Sequence, residues 1–83
     1  MMLDILYFAW VREGIGLGQE RVDVPVDVAT VAALIDWLAA RPGHEILADK
    51  NKLRAAVDQV FVSLDAPLAA AREVAIFPPV TGG

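Results

Sequence analysis

Hydrophobic positions change their spacing several times along the 83-residue chain, and each change predicts an element. Residues 3–10, "LDILYFAW", are apolar on both alternating faces and rich in aromatic and aliphatic side chains, which predicts a central β-strand. In "ERVDVPV" the period is two, with Val22, Val24 and Val26 on one side, and a second strand is expected. Between the two runs lie Gly14, Gly16 and Gly18, a spacing suited to a hairpin loop because glycine supplies the positive φ such turns need. The period then lengthens. Val31, Leu34, Ile35 and Leu38 fall at i, i+3, i+4 and i+7, one stripe of an amphipathic helix. Thr30 is its expected N-cap, with Asp27 the rival, and Pro42–Gly43 ends it. Asp36, Trp37 and Arg41 lie off the stripe, so Trp37 is expected at the edge of the core. Residues 44–52 are polar and predict an irregular connection or a single helical turn. "LRAAVDQVFVSL" reads as a strand, with a tight turn at Asp58–Gln59 as a possible break. "DAPL" is a turn, and residues 73–77, "EVAIF", form the last strand before "PPVTGG".

This order predicts an α+β fold of two layers, one main helix crossing one face of a sheet. The helix covers a single face, so the polar-marked face of each strand is expected to point outward. Those sets are Asp4, Leu6, Phe8 and Trp10; Gln59, Phe61 and Ser63; and Glu73, Ala75 and Phe77. Each contains one phenylalanine, and Phe8, Phe61 and Phe77 are the only three in the chain. Together they predict an outward apolar patch. A register slip of one residue would return them to the core, because side chains alternate with period two.

Composition narrows the chemistry. Eighty-three residues make one small domain, and 57% hydrophobic content is high for so small a body, which points to apolar surface that meets a partner. The absence of cysteine excludes disulfides, thiolate metal sites and a cysteine nucleophile. A net charge of −4, with seven scattered Lys and Arg, is the wrong electrostatics for phosphate recognition. The glycine-rich segment lacks the Lys-Ser/Thr of a P-loop, and a period-two run follows it instead of the helix a dinucleotide site requires. His44 is the only histidine. With only Glu45 and Asp49 as local carboxylates, it is expected to be solvated, with no catalytic or metal-binding role. The opening "MMLDILYFAWVRE" is interrupted by Asp4 and carries no basic leader, so it reads as neither signal peptide nor membrane span, and a cytoplasmic protein is expected.

The end of the sequence carries the sharpest signal. Pro78 and Pro79 restrict φ and favour an extended chain leaving the sheet edge. Gly82 and Gly83 add no side-chain width, so such a tail can enter a narrow site and adopt backbone angles closed to other residues. Residues 1–77 are therefore read as the domain and 78–83 as an extended C-terminal tail. The stretches "LYFAWVREGIG", "LRAAVDQVFVSLDAPL" and above all "EVAIFPPVTGG" resemble the small subunit of molybdopterin synthase, a ubiquitin-like sulfur carrier with a β-grasp fold, and the resemblance runs almost end to end. Two departures stand out. The family usually has Asn where this chain has Asp58, and its usual Asp-Gly-Asp before the last strand is here residues 69–72, "AAAR".

The resemblance implies a mixed β-grasp sheet and a working residue at Gly83, whose carboxylate an activating enzyme adenylates with ATP. A sulfur donor protein then displaces AMP and leaves a thiocarboxylate. It implies insertion of the tail, Pro78, Pro79, Val80, Thr81, Gly82 and Gly83, into the large synthase subunit. There the sulfur attacks cyclic pyranopterin monophosphate, and two transfers build the molybdopterin dithiolene. The chain would bind no cofactor of its own and would supply a reactive group to an active site lying mainly on the large subunit, in a heterotetramer. Phe8, Phe61 and Phe77 would serve as the docking face. Three other readings share these features: a sulfur carrier for thiamine synthesis, a ubiquitin-like modifier joined to lysines, and a β-grasp interaction module with an inert tail.

Overall fold

A computed structural model of the chain describes residues 1–79. Its elements in order are β1 (Met2–Tyr7), α1 (Ala9–Ile15), β2 (Gln19–Asp23), α2 (Val31–Ala39), β3 (Arg54–Val57), β4 (Val60–Val62) and β5 (Glu73–Phe77), with two single-turn 3₁₀ helices, Glu45–Ala48 and Lys50–Lys52, between α2 and β3. The strands form one mixed sheet in the order β2-β1-β5-β3-β4. β1 and β5 pair in parallel at its centre, and the remaining pairs are antiparallel.

The core lies between one sheet face and α2. From β1 it takes Leu3, Ile5 and Tyr7, from β5 Val74 and Ile76, and from α2 Val31, Leu34, Ile35 and Leu38. The last four are the stripe expected from the 3.6-residue period. Burial of each such aliphatic side chain is worth about 1.5–3 kcal/mol. Thr30 is the N-cap of α2, and its hydroxyl accepts from the amide of Ala33 at 3.1 Å, which satisfies one of the helix's free amides. Trp37 packs at the edge of the core as expected, with the Arg41 guanidinium 5.3 Å from its ring centroid.

Two boundaries differ from the sequence pattern. β1 stops at Tyr7, and where a hairpin loop was expected the chain forms α1. Phe8 is the extended N-cap of this helix, so Phe8 and Trp10 are not strand residues. Gly14 within this helix argues against it on propensity, but Val11 is buried beneath α1, and Gly16, at φ 87°, closes it with its amide on the carbonyl of Arg12 at 2.8 Å. Tertiary packing overrides the propensity. Gly14 faces Ile46 of the first 3₁₀ turn so closely that an added Cβ would collide with the Ile46 side chain. β1 and β2 still pair antiparallel, as a hairpin would.

The second difference is that β2 ends at Asp23, so the period-two run extends beyond the strand. Val22 and Val24 are buried, but Val26, after Pro25, is 89% exposed. The run over residues 53–64 is broken at the tight turn offered by Asp58–Gln59, giving two strands. Asp58 and Gln59 both have positive φ, 47° and 71°, and Val57 pairs with Val60 across them. That is the signature of a two-residue type I′ hairpin.

Candidate functional site

The outer sheet face is built by register. Gln19, Leu6, Ala75, Ala56 and Phe61 are successive cross-strand partners from β2 to β4, so they line up in one row across the sheet. Ala75 and Ala56 have only methyl groups, and larger neighbours shield them to 8% and 5% exposure. They form the floor of an apolar groove, with Leu6 and Phe8 on one side and Phe61 and Phe77 on the other. Phe8 is 47% and Phe61 78% exposed. Phe77 is half-buried, and its ring lies 5.6 Å from that of Phe61 at 48°. The patch expected from alternation is present, but Phe8 reaches it from the N-cap of α1. Trp10, expected on the same face, rides on α1 instead, and Ser63 lies just past the end of β4.

Charge is confined to the two ends of the groove. Two residues back along the strands, Arg21, Asp4 and Glu73 form the neighbouring row, with Asp4 3.6 Å from Arg21. At the other end Arg54 pairs with Phe77. β5 leaves the sheet at this end, and Pro78 and Pro79 follow it, both partly buried. Val80, Thr81, Gly82 and Gly83 lie outside the described residues.

The two departures from the family pattern flank β5. The Asp58 carboxylate accepts from the amides of Arg72 and Glu73, both at 3.0 Å and both on Oδ1. An asparagine offers a carbonyl oxygen at the same place, so either residue supports this turn. In the alanine run, Ala69 has φ 49°, a region that costs a residue with a Cβ about 1–2 kcal/mol.

A polar cluster that local sequence reading missed lies on the opposite, inner face. His44, expected to be solvated, is 8% exposed. Its Nε2 is 2.6 Å from Glu20 Oε2, its Nδ1 is 3.1 Å from the carbonyl of Pro42, and the Tyr7 hydroxyl donates to the same Glu20 oxygen at 2.7 Å. The signal was present. Counting back by two from Val24 and Val22 places Glu20 on the buried face, where a carboxylate requires donors. Sequence proximity offered Glu45 and Asp49 instead, but the sheet brings in a carboxylate 24 residues away. Burial pushes the Glu20 carboxyl up, but the Tyr7 and His44 hydrogen bonds, with the charges of His44 and Arg41, outweigh it and hold the group below the ordinary glutamate range. Burial, the hydrogen bond to Glu20 and that carboxylate's charge push the Tyr7 phenol well above its usual range. These groups satisfy one another and join β1, β2 and the turn after α2. Their role is structural.

Among the described residues, no group of three or more His, Cys, Asp or Glu could hold a metal ion, and no helix is long and apolar enough to cross a membrane.

Comparison with known proteins adds four findings. The ThiS family model matches residues 5–83. The molybdopterin synthase sulfur carrier subunit of Escherichia coli strain K12 is 47% identical over 83 residues, covering 99% of this chain and 100% of that protein. Among solved structures, the small archaeal modifier protein 1 of Haloferax volcanii superposes with a TM-score of 0.74 at 27% identity, over 95% of this chain and 98% of that one. A protein–protein complex of subunits 1 and 2 of the molybdopterin-converting factor from Helicobacter pylori contains a chain with a TM-score of 0.64 at 19% identity, a likeness of fold that covers both chains in full.

Proposed function

Because this chain belongs to the ThiS family and is homologous over its full length to molybdopterin synthase sulfur carrier subunits, we propose that it carries sulfur as a thiocarboxylate on Gly83 and donates it within molybdopterin synthase. The observation that carries this reading is the full-length 47% identity to a carrier of that name. The apolar groove at the root of the tail supports it, because a carrier has to dock before its terminus can be used.

A free carboxylate is a poor acyl donor. An activating enzyme joins the Gly83 carboxylate to AMP from ATP, releasing pyrophosphate. A sulfur donor protein then supplies sulfur at the sulfide level, which attacks the acyl adenylate and displaces AMP, and the terminus becomes a thiocarboxylate. Residues 1–77 form the docking body, and residues 78–83 form the arm that carries this group into the large subunit. Two transfers to cyclic pyranopterin monophosphate build the dithiolene. Phe8, Phe61 and Phe77 form the docking face, and Pro78, Pro79, Val80 and Thr81 are the partner-binding part of the arm. Association with a large subunit is consistent with the fold likeness to a chain of the subunit 1–subunit 2 complex. We place the protein in the cytoplasm.

The test is the mass of the peptide released by trypsin after Arg72, following incubation with ATP, the activating enzyme and a sulfur source. Exchange of one oxygen for sulfur in "EVAIFPPVTGG" is the expected result. An unchanged mass with an active activating enzyme would overturn the reading. Deletion of Gly83 should abolish transfer while leaving the fold intact.

A second reading is favoured by the likeness to a small archaeal modifier protein: the same activated Gly83 forms isopeptide bonds with lysines. Its product is a conjugate of higher mass that contains the Gly83 carbonyl, which the same incubation with candidate target proteins would reveal.

A further inference from the structure

We propose that Asp58 is a positioning residue, one that locks the register of β5 and so sets where Phe77 and the tail leave the sheet. The proposal rests on the carrier reading for its functional consequence, whereas the lock itself rests on geometry. Asp58 sits first in the type I′ turn between β3 and β4, at φ 47°. Its Oδ1 accepts from the amides of Arg72 and Glu73 at 3.0 Å each, and its own amide donates to the Glu73 carbonyl at 2.9 Å. From the other side, the Asp4 amide donates to the Arg72 carbonyl at 2.9 Å. The Arg72–Glu73 unit is therefore held by the β3–β4 turn and by β1 together, where β5 begins.

The remainder of the ladder specifies register less strictly. β5 is preceded by Ala69, Ala70 and Ala71, which offer no side-chain hydrogen bonds, and Ala56 faces Ala75 at the middle of the β3–β5 pairing. A slip of one residue is opposed by the core, because it would drive Val74 and Ile76 outward. A slip of two residues keeps every face, and alternation does not forbid it. It would displace Phe77 by about 6–7 Å along the sheet and shift the groove wall and the start of the tail with it. Successive amides point to opposite sides in an extended strand, so the two bonds to Oδ1 need the bend at Arg72. A slip that fed strand residues into this place would lose one of them, and the contact favours the native register.

The experiment uses the full chain with Asp58→Gly, which tolerates positive φ but has no acceptor, and Asp58→Asn, which keeps a carbonyl oxygen. Amide exchange and cross-strand proximities in β5 are read by nuclear magnetic resonance, and single-turnover sulfur transfer is measured against large-subunit concentration, to separate docking from transfer. In Asp58→Gly the Arg72 and Glu73 amides should exchange about tenfold faster or more, the Val57–Val74 proximity should weaken, and transfer from the docked complex should slow. Asp58→Asn should restore all three. Unchanged exchange in Asp58→Gly would overturn the lock. Faster exchange with native β5 proximities and native transfer would also overturn it, leaving Asp58 a local turn residue. If Asp58→Gly fails to fold, Asp58→Ser, too short to span both amides, is expected to give the same exchange pattern and is judged by the same criteria. Wild-type protein that transfers no sulfur would remove the carrier reading, whereas exchange and proximity would still decide the lock.

Discussion

The imidazole Nε2 of His44 lies 2.6 Å from Oε2 of Glu20, two residues joined across 24 positions of sequence. The same oxygen accepts from Tyr7, so this carboxylate holds β1, β2 and the turn after α2. Glu20→Gln weakens both bonds and should cost about 1.5–3 kcal/mol at neutral pH, the range for hydrogen bonds to a charged group. The pH dependence follows from the lowered Glu20 pKa. A carboxyl with a depressed folded-state pKa contributes stability that is present above its unfolded value and lost as pH falls through the folded one. Denaturant midpoints should therefore converge for wild type and Glu20→Gln as pH drops below about 4.5, the ordinary value. Parallel curves across that range would contradict the assignment.

Gly14 packs tightly on the Ile46 side chain. Its missing Cβ is what lets α1 approach Ile46, and Gly14→Ala should destabilise the fold by about 1–3 kcal/mol, the usual cost of overpacking. Ile46→Ala removes the colliding side chain. In the double variant the two costs should sum to less than their separate values, because the residues are in contact, and thermal melts of the four proteins measure the coupling.

At the outer face, Phe61 is 78% exposed, so Phe61→Ala should change stability by no more than about 0.5 kcal/mol. Under the carrier reading, both Phe61→Ala and Phe77→Ala should weaken large-subunit binding by about 1 kcal/mol or more, the threshold for an aromatic anchor in an interface. Titration calorimetry measures this, and unchanged affinity in both variants would remove the docking role of the groove.

Ala69 adopts φ 49° in the turn that replaces the family's Asp-Gly-Asp. Ala69→Gly removes about 1–2 kcal/mol of steric cost and adds about 0.5–1 kcal/mol of chain entropy. The expected result is a gain of up to about 1.5 kcal/mol by denaturant unfolding. A loss of stability would show that the turn tolerates the alanine through contacts that glycine forfeits.

Sequence by itself determined the elements whose signal is periodic and local. Val31, Leu34, Ile35 and Leu38 had to share one helix face, alternation placed Phe61 and Phe77 opposite the core, and a short-range turn was available at Asp58–Gln59. It also carried the family resemblance, through a terminal motif that needs no tertiary context to be read. Only the tertiary structure decided the rest, because the deciding energies come from contacts between distant residues. The α1 helix exists against glycine propensity because Val11 and Gly14 find partners elsewhere in the fold. His44 is buried because the sheet brings Glu20 to it, a pairing for which neighbouring residues offered the wrong carboxylates. The groove has its shape because register sets Ala56 beside Ala75. Which strands are neighbours is a property of the folded sheet, and period-two alternation specifies faces without specifying partners.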